Sequence, residues 1–341
     1  MPRGFAAVLR RPVLALTVLA LAGLPAAAGD FILRSDPRTY RIAVEYSVAI
    51  PGAKPGEIVV DFPLPVSDQY QDIVKWDRPD GEVRHYPGTG DPYLHVNLLR
   101  RHSRKNDPYE TGHAFEAVLY AIDTDFDQAR DPHPYLVNSP LFKYYTAARG
   151  EYIVPRHPEI GKIADSLGKT AKNDIDFARL ALEHVARRFT LAPPAKKLMP
   201  LAKTLDTGAG DAAALNAVYV SLMRRRGIPA RHLVGMAPDG VGNVFAEFYL
   251  EHRGWVPVDL VRRIGDPDGD YFGKIRAADA VVIMSRDIMH TVRGTSGDDE
   301  IVDLMQTYVY WADLKWNVID GKYVLRNPGK PRHVFSFAAK K

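Results

Sequence analysis

The chain of 341 residues contains no cysteine. This absence excludes a disulfide framework, a thiol nucleophile and a lipid-anchored N-terminal cysteine. The eleven histidines show no H-x-x-x-H or H-E-x-x-H spacing, so the sequence predicts no zinc site. Internal repeats and low-complexity tracts are also absent. The composition therefore favours a protein that is held together by its apolar core alone.

Residues 1–28 have the pattern of a secretory signal segment. Three arginines precede twelve predominantly apolar residues at 13–24, and three alanines at 26–28 match an A-x-A cleavage site. Paired arginines at 10–11 leave a twin-arginine export route open beside the ordinary one. Twelve apolar residues are fewer than the roughly 20 that span a bilayer, so we expect no stable membrane span after removal of the segment. The predicted location is periplasmic or secreted.

The net charge gives no sign of a polyanionic partner. The formal charge of +4 includes the three arginines of the signal segment, so the chain from Gly29 onward carries about +1. A nearly neutral chain is not expected to bind nucleic acid through its overall field.

Composition and periodicity predict two domains after the signal segment. Ile42, Val44 and Tyr46 alternate with polar residues, and prolines punctuate short strands, which predicts an all-β, sandwich-like domain at 29–125. A polar, proline-containing linker at 126–157 follows. In the second domain, 158–341, residues 158–167 and 174–189 are predicted helices, with Asp174 as a candidate N-cap of the latter.

A third helix is predicted to begin after Asp211. Asp211 is a favourable N-cap, three arginines at 224–226 suit the negative end of the helix dipole, and Gly227 suits the C′ position. The apolar residues recur at the spacing of a single buried helical face: Leu215, Val218, Tyr219, Leu222 and Met223.

Two strands are predicted after this helix. Between 243 and 250, Val244, Ala246 and Phe248 alternate with Asn243, Phe245, Glu247 and Tyr249. Between 255 and 260, Val256, Val258 and Leu260 alternate with Trp255 and Asp259. If the two strands pair with matching faces, Asn243 and Asp259 share one side, and we expect both to point toward the start of the helix.

The same segments resemble the core of the transglutaminase-like superfamily. The resemblance is carried by Gly-Ala-Gly-Asp at 208–211, Gly-Ile-Pro-Ala-Arg at 227–231, Asn-Val-Phe-Ala-Glu-Phe-Tyr at 243–249 and Gly-Trp-Val-Pro-Val-Asp at 254–259. Segments at 270–273 and 285–288 resemble those that follow the aspartate in exported bacterial members. The resemblance implies an α+β fold, with a papain/transglutaminase-like domain preceded by the all-β sandwich-like domain.

The resemblance places the family's catalytic Cys-His-Asp at Ala212, Asn243 and Asp259. An alanine methyl cannot attack a carbonyl, and an asparagine amide cannot shuttle protons near neutral pH. The resemblance therefore implies a non-catalytic protein without a cofactor. We expect the former cleft to bind a peptide or protein ligand, with a cell-wall peptide as one candidate. Its predicted binding residues are Asp211, Ala212, Asn243, Phe245, Trp255 and Asp259.

Two other functions remain open at this point. One is an amide hydrolase or transferase acting on peptides by a cysteine-free mechanism, with Asp211 or Asp259 activating water. The other is a structural module of an envelope assembly that uses a surface outside the cleft.

Three weaker signals favour structural roles. Asp266, Asp268 and Asp270 are a weak candidate for a hard cation, because the EF-hand glycine and closing glutamate are absent. His232 and His252 are interpreted as loop or strand-edge residues. Ser221 lies too deep in the predicted helix to act as a nucleophile.

Overall fold

The computed structural model describes residues 31–48, 59–77, 81–86, 89–97, 109–129, 133–194, 199–237, 242–287, 289–293, 299–303 and 332–339. The predicted signal segment lies outside these residues. None of the described helices is long and apolar enough to cross a membrane. The arrangement combines helices with mainly antiparallel sheets, as expected for the α+β class.

The strands follow the chain in this order: β1 Ile32–Val48, β2 Val59–Pro63, β3 Gln71–Asp77, β4 Glu82–His85, β5 Pro92–Asn97, β6 Tyr109–Thr124, β7 Thr190–Leu191, β8 Ala209–Gly210, β9 Ala230–Met236, β10 Gly242–Leu250, β11 Gly254–Val258, β12 Lys274–Ile275, β13 Val282–Arg286, β14 Met289–Arg293, β15 Asp299–Asp303 and β16 Arg332–Ala339. The helices are α1 Pro140–Thr146, α2 Pro158–Gly168, α3 Asp174–Arg188, α4 Leu201–Thr207, α5 Ala212–Arg225 and α6 Leu260–Gly265.

The first sheet is built around the long antiparallel pair of β1 and β6, in which Ile42 lies opposite Phe115. In β1, Ile42 is buried and Arg41 is exposed, as the predicted alternation requires, whereas the side chains of Val44 and Tyr46 lie outside the described part of the structure. In β6, the buried Phe115, Ala117 and Leu119 alternate with half-buried residues, because one side chain in two faces the core. A smaller sheet, β2-β5-β4, contributes Leu94 to the same buried cluster as Phe115. The cluster therefore joins side chains of both sheets.

Later parts of the chain complete the first sheet. Strand β16 pairs with β1, with Tyr40 opposite Ala339, and β12 pairs with the end of β6. We assigned residues 332–339 to the second domain, yet their hydrogen-bond partners lie in the first sheet. The domain boundaries stay a prediction. The reason for the difference is that a short strand carries no signal for its partner, which is chosen by long-range packing.

Helix α5 lies in the interior of the second part of the chain. It packs against α2, α3 and α4 on one side and against β9 and β10 on the other. Residues 213–224 are buried all round, whereas the sequence predicted a single buried face. The difference arises because neighbouring helices cover the side that the apolar stripe leaves to solvent.

The second sheet has the order β11-β10-β9-β13, with every neighbouring pair antiparallel. The predicted strands at 243–250 and 255–260 correspond to β10 and β11. The second prediction was wrong at its end, because Leu260 begins α6 and Asp259 caps that helix. The N-cap of α3 is Asn173, whose side chain accepts from the backbone N of Asp176, and not Asp174.

Candidate functional site

The first turn of α5 is fixed by its cap. Asp211 is extended and 3% exposed, and its Oδ1 accepts a hydrogen bond of 3.0 Å from the backbone N of Ala214. At the other end Gly227 has φ +81°, a conformation that favours glycine. Both predicted ends of the helix are confirmed. Ala212, at the nucleophile position implied by the resemblance, is half-buried at the first helical position.

An amide side chain joins this first turn to the second sheet. Asn216 is fully buried, and its Nδ2 donates to the carbonyl O of Ala212 at 2.8 Å and to that of Val244 at 3.0 Å. The side-chain amide of Asn216 therefore links the start of α5 to Val244 in β10. The sequence did not predict this contact. Its only signal was a polar residue in the middle of an otherwise apolar helix.

A histidine lies beneath the same turn. His232 is in the middle of β9, is 0% exposed, and has its Nε2 at 3.3 Å from the carbonyl O of Ala213. Burial lowers the pKa of His232 to about 4, so the ring is neutral at pH 7 and donates to this carbonyl through Nε2. The interpretation as a loop or strand-edge residue was wrong for His232. It holds for His252, which is exposed in the turn between β10 and β11.

The two faces of β10 have different neighbours. Val244, Ala246 and Phe248 join the core that contains α5. Phe245 packs edge-to-face on Tyr70 with ring centroids 6.0 Å apart, and Glu247 bonds to the same tyrosine. Asn243 is an odd-numbered residue of β10, like Phe245 and Glu247, so strand alternation places it on this second face. It is half-buried. Strand alternation therefore does not direct Asn243 at the helix start, contrary to our expectation, because the residues that pack on α5 occupy the even positions.

Asp259 lies directly after β11. The register pairs Val258 with Ala246, which places Asp259 beside Phe245 and not beside Asn243. Its Oδ1 accepts a hydrogen bond of 3.0 Å from the backbone N of Arg262, which caps α6. Burial raises the pKa of Asp259 to about 6, and neighbouring Asp279 acts in the same direction. The carboxyl is therefore only partly ionised just below neutral pH.

The remaining predicted binding residues take part in internal packing. Phe245 is 2% exposed, so its ring does not reach solvent in this conformation. Trp255 is half-buried and its ring lies 3.9 Å from the guanidinium carbon of Arg231, while Tyr145 packs on its edge. Of the six predicted residues, Ala212, Asn243 and Trp255 are partly exposed. The binding role of all six stays a prediction.

The side of the second sheet that faces β3 and the preceding loop is held by buried charges. Glu247 Oε1 accepts from Arg231 Nε at 2.5 Å, and its Oε2 accepts from the Tyr70 hydroxyl at 2.5 Å. Burial and this carboxylate together raise the pKa of Tyr70, which keeps its proton for the bond. At the start of β3, the Gln71 side chain bonds both backbone groups of Ile283 in β13, at 2.8 and 3.0 Å.

Arg286 at the end of β13 completes this network. Its backbone N donates to Asp91 Oδ2 at 2.8 Å, and its guanidinium donates to Asp91 Oδ1 at 3.2 Å and to Asp68. The resemblance to exported members at 285–288 therefore falls on a residue that ties the end of β13 to the segments that precede β3 and β5.

The three aspartates at 266–270 do not converge. Asp266 Oδ2 accepts a hydrogen bond of 2.6 Å from the hydroxyl of Tyr271, whereas Asp270 lies 3.3 Å from Lys274 Nζ. Among the described residues, no group of three or more histidine or acidic side chains is arranged to hold a metal ion. Ser221 is 0% exposed, and its Oγ accepts from the backbone N of Val154 at 3.1 Å, which is a structural contact.

The helices and strands around α5 match a known family. The family model described as the transglutaminase-like superfamily matches residues 161–260. Residues 161–260 form a transglutaminase-like core. The matched range runs from α2 to the start of α6 and includes Ala212, Asn243 and Asp259, the positions at which the sequence resemblance implies catalytic residues. The search of curated proteins found no match.

Solved structures of low sequence identity are similar in fold. A protein from Cytophaga hutchinsonii assigned as a cysteine protease has a TM-score of 0.62 at 11% identity, covering 91% of this chain and 93% of that one. The periplasmic domain of TgpA from Pseudomonas aeruginosa, bound to ethylmercury, has a TM-score of 0.35 at 17% identity, covering 72% of this chain and 95% of that one. The family match and the first structural similarity together confirm the predicted α+β, transglutaminase-like fold.

Proposed function

We propose that this protein is an exported, non-catalytic member of the transglutaminase-like superfamily that binds a peptide or protein ligand at the former active site. The observation that carries the proposal is the combination of a preserved backbone frame with missing reactive groups. Asp211 caps the helix, and Asn216 ties Ala212 to Val244, yet position 212 has only a methyl group.

The groups that remain nearby do not replace the missing chemistry. A thiol enzyme of this kind needs a nucleophile at the helix start and a base that exchanges protons with it. His232 is neutral, fully buried and bonded to a backbone carbonyl. Asn243 has no titratable group. Without a nucleophile and a base, this site can hold a ligand but cannot react with it.

The exposure of the predicted binding residues supports a narrow surface for contact with the ligand. Ala212 and Asn243 are half-buried, whereas Asp211, Phe245 and Asp259 are each at most 5% exposed. We infer that Ala212 contacts the ligand and that Asp211 shapes the surface from beneath, whereas Asn243 and Phe245 belong to the opposite face of β10 and a ligand reaches Asn243 only past the start of that strand. A peptide, including a cell-wall peptide, is the ligand class that a frame of this ancestry accommodates, and the signal pattern at 1–28 supports a periplasmic or secreted location.

The alternative function is peptide-amide hydrolysis or transfer without a cysteine. One observation favours it, namely the pKa of about 6 that burial gives to Asp259. A carboxylate with this pKa is suited to act as a general base on water. Turnover of a glutamine-containing peptide by purified protein, lost in Asp259→Asn, would establish this function and remove the non-catalytic proposal.

The proposal is tested by filling the surface at position 212. The probes are a cell-wall stem pentapeptide and an acetylated hexapeptide in which valine and glutamate alternate, titrated by calorimetry. We expect Ala212→Trp to weaken binding by about tenfold or more, because an indole occupies the ligand position. Ala148→Trp, at an exposed position in the loop after α1, is the matched control and should leave binding unchanged.

Circular dichroism establishes that both tryptophan variants are folded. Equal binding by Ala212→Trp and the wild type would show that the ligand uses another surface. Export is tested separately by intact-mass analysis of the secreted protein, which should begin at or near Gly29. A protein that keeps Met1 and remains in the membrane fraction contradicts that part of the proposal.

A further inference from the structure

The segment that leads into the helix start is one strand of a two-stranded parallel ladder. Strand β8 ends one residue before Asp211, and it pairs with β7 so that Thr190 lies opposite Ala209 and Leu191 opposite Gly210. The backbone N of Thr190 donates to Gly208 at 2.9 Å, and that of Ala192 donates to Gly210 at 2.8 Å. The ladder thus connects β7 rigidly to the frame around Ala212.

The pairing leaves the outer edge of β7 directed away from β8. In a parallel ladder, alternate residues of a strand bond to one neighbour, and the residues between them point their N–H and C=O to the other side. Because the residues at 190 and 192 bond to β8, the backbone groups of Leu191 face outward. The Leu191 side chain is 36% exposed, and Pro193 and Pro194 end the edge beyond it.

The charge beside this edge is positive. Arg188 is exposed, and its Nη1 lies 3.3 Å from the position that a Cβ on Gly208 would occupy, next to the ladder. Within the part of the chain that the structure describes, Arg188 makes no ion pair, whereas Arg187 lies 3.3 Å from Glu183. On helix α4, which leads into β8, the exposed charges of Lys203 and Asp206 offset each other.

We propose that the outer edge of β7 at Leu191 binds an extended, acidic peptide by strand addition, with a carboxylate of the peptide paired to Arg188. The proposal rests on the proposed function and specifies its ligand. Main-chain hydrogen bonds to Leu191 hold the peptide backbone in register with the ladder, and Arg188 selects the acidic side chain. Because Leu191 lies opposite Gly210, two residues before Ala212, a peptide at this edge is separated by β7 from the strand that leads to Ala212.

The test uses the full-length mature protein and the hexapeptide of alternating valine and glutamate, with binding measured by calorimetry. The first arm replaces the peptide by a copy that is N-methylated at alternate residues, which removes backbone donors and leaves the charge unchanged. The second arm replaces Leu191 by proline, which removes the outward N–H without removing a ladder bond. Leu191→Ala, which retains the N–H, is its control.

A third arm tests the charge. Arg188→Gln removes the guanidinium beside the edge, and Arg187→Gln, in the same helical turn, is the matched control because its charge is already paired. For a copy of the hexapeptide with glutamine in place of glutamate, Arg188→Gln and Arg187→Gln should bind with equal affinity.

We expect N-methylation and Leu191→Pro each to weaken binding by about five- to tenfold, the effect of losing one main-chain hydrogen bond. Arg188→Gln should weaken it by about two- to fivefold and Arg187→Gln should not, as expected for an exposed ion pair. Equal affinity for the methylated and unmethylated peptides overturns the proposal. A dimer that Leu191→Pro dissociates would also overturn it, because the occupant is then a second copy of the chain.

The outcomes separate this inference from the proposed function. If Ala212→Trp blocks the hexapeptide and Leu191→Pro does not, the ligand uses the former active site without the strand edge. If Leu191→Pro alone weakens binding, the edge binds the peptide and the surface at Ala212 does not. Absence of binding at millimolar concentrations of hexapeptide overturns the strand-edge proposal.

Discussion

The two faces of the second sheet are held by different kinds of interaction. The face that packs on α5 is apolar, with Ala246, Phe248 and Val258 in one continuous core and Asn216 as an amide bridge. The opposite face meets the first sheet through buried charges on Arg231 and Glu247, and through Tyr70, Gln71 and Arg286.

This difference indicates which face of the second sheet determines how the first sheet docks against it. Apolar burial is roughly proportional to area and has little directional preference, so the α5 face contributes stability. A buried ion pair contributes little net stability, but removing one partner leaves an uncompensated charge and is costly. We therefore expect the charged face to determine how the first sheet docks, and the apolar face to tolerate conservative changes of shape.

The largest effect is expected for Glu247→Ala. The substitution leaves the Arg231 guanidinium without its carboxylate and the Tyr70 hydroxyl without an acceptor, so we expect the free energy of unfolding to fall by about 3–5 kcal/mol. Phe248→Leu, at the next position and on the apolar face, should cost about 1–2 kcal/mol. Urea unfolding of both variants measures the difference, and equal losses would show that the two faces do not differ as described.

A pH-dependent effect is expected for Asp259→Asn. Since burial raises the pKa of Asp259 from 3.8 to about 6, the folded state binds the proton more tightly than the unfolded state. This contribution to stability is complete below pH 4 and is lost as the pH rises through 6. Asparagine caps a helix as well as aspartate does, so the variant should be more stable than the wild type at pH 8, by up to about 3 kcal/mol.

The difference in stability between Asp259→Asn and the wild type should shrink toward zero at pH 4, where the wild-type carboxyl is protonated in the folded state. Thermal unfolding of both proteins between pH 4 and 8 measures it. Parallel stability curves for the wild type and the variant would mean that the Asp259 carboxyl is solvated.

A smaller effect is expected for Asn216→Ala. The substitution removes the donor shared by the carbonyls of Ala212 and Val244, leaving the latter without this partner in a buried environment. We expect a loss of about 1–3 kcal/mol in the free energy of unfolding. Ser221→Ala, on the same helix and equally buried, changes a single hydrogen bond and should cost about 1 kcal/mol.

The smallest effect is expected for the pKa of a cysteine introduced at the start of α5. A cysteine placed by Ala212→Cys should have a pKa below the ~8.5 of a free thiol, because the helix N-terminus favours thiolate. Adding Asn243→His should not lower the pKa further, because strand alternation places position 243 on the face of β10 that points away from α5. Asp259→Asn in the double variant should likewise leave the thiol pKa unchanged, because Asp259 lies beside Phe245. Iodoacetamide reactivity against pH measures all three, and a lower thiol pKa in the double variant would show that position 243 does reach the helix start.

Local patterns predicted the elements around the site. Asp211 and Gly227 mark the ends of α5 as expected, because capping is determined by a few neighbouring residues. The alternation at 243–250 predicted β10 for the same reason. The burial of Phe245 and the central position of His232 were not predictable, because the packing that covers them comes from residues more than a hundred positions away or from a neighbouring strand.

The sequence by itself determined the composition of the site. It placed an alanine and an asparagine where the resemblance implies a cysteine and a histidine, and it coded the helix and strands that surround them. The tertiary structure decided which side chains of that site remain exposed and which charges become paired. It also decided that β16 pairs with β1, since such contacts join segments far apart in the chain, and their energy depends on desolvation and geometry that no local pattern encodes.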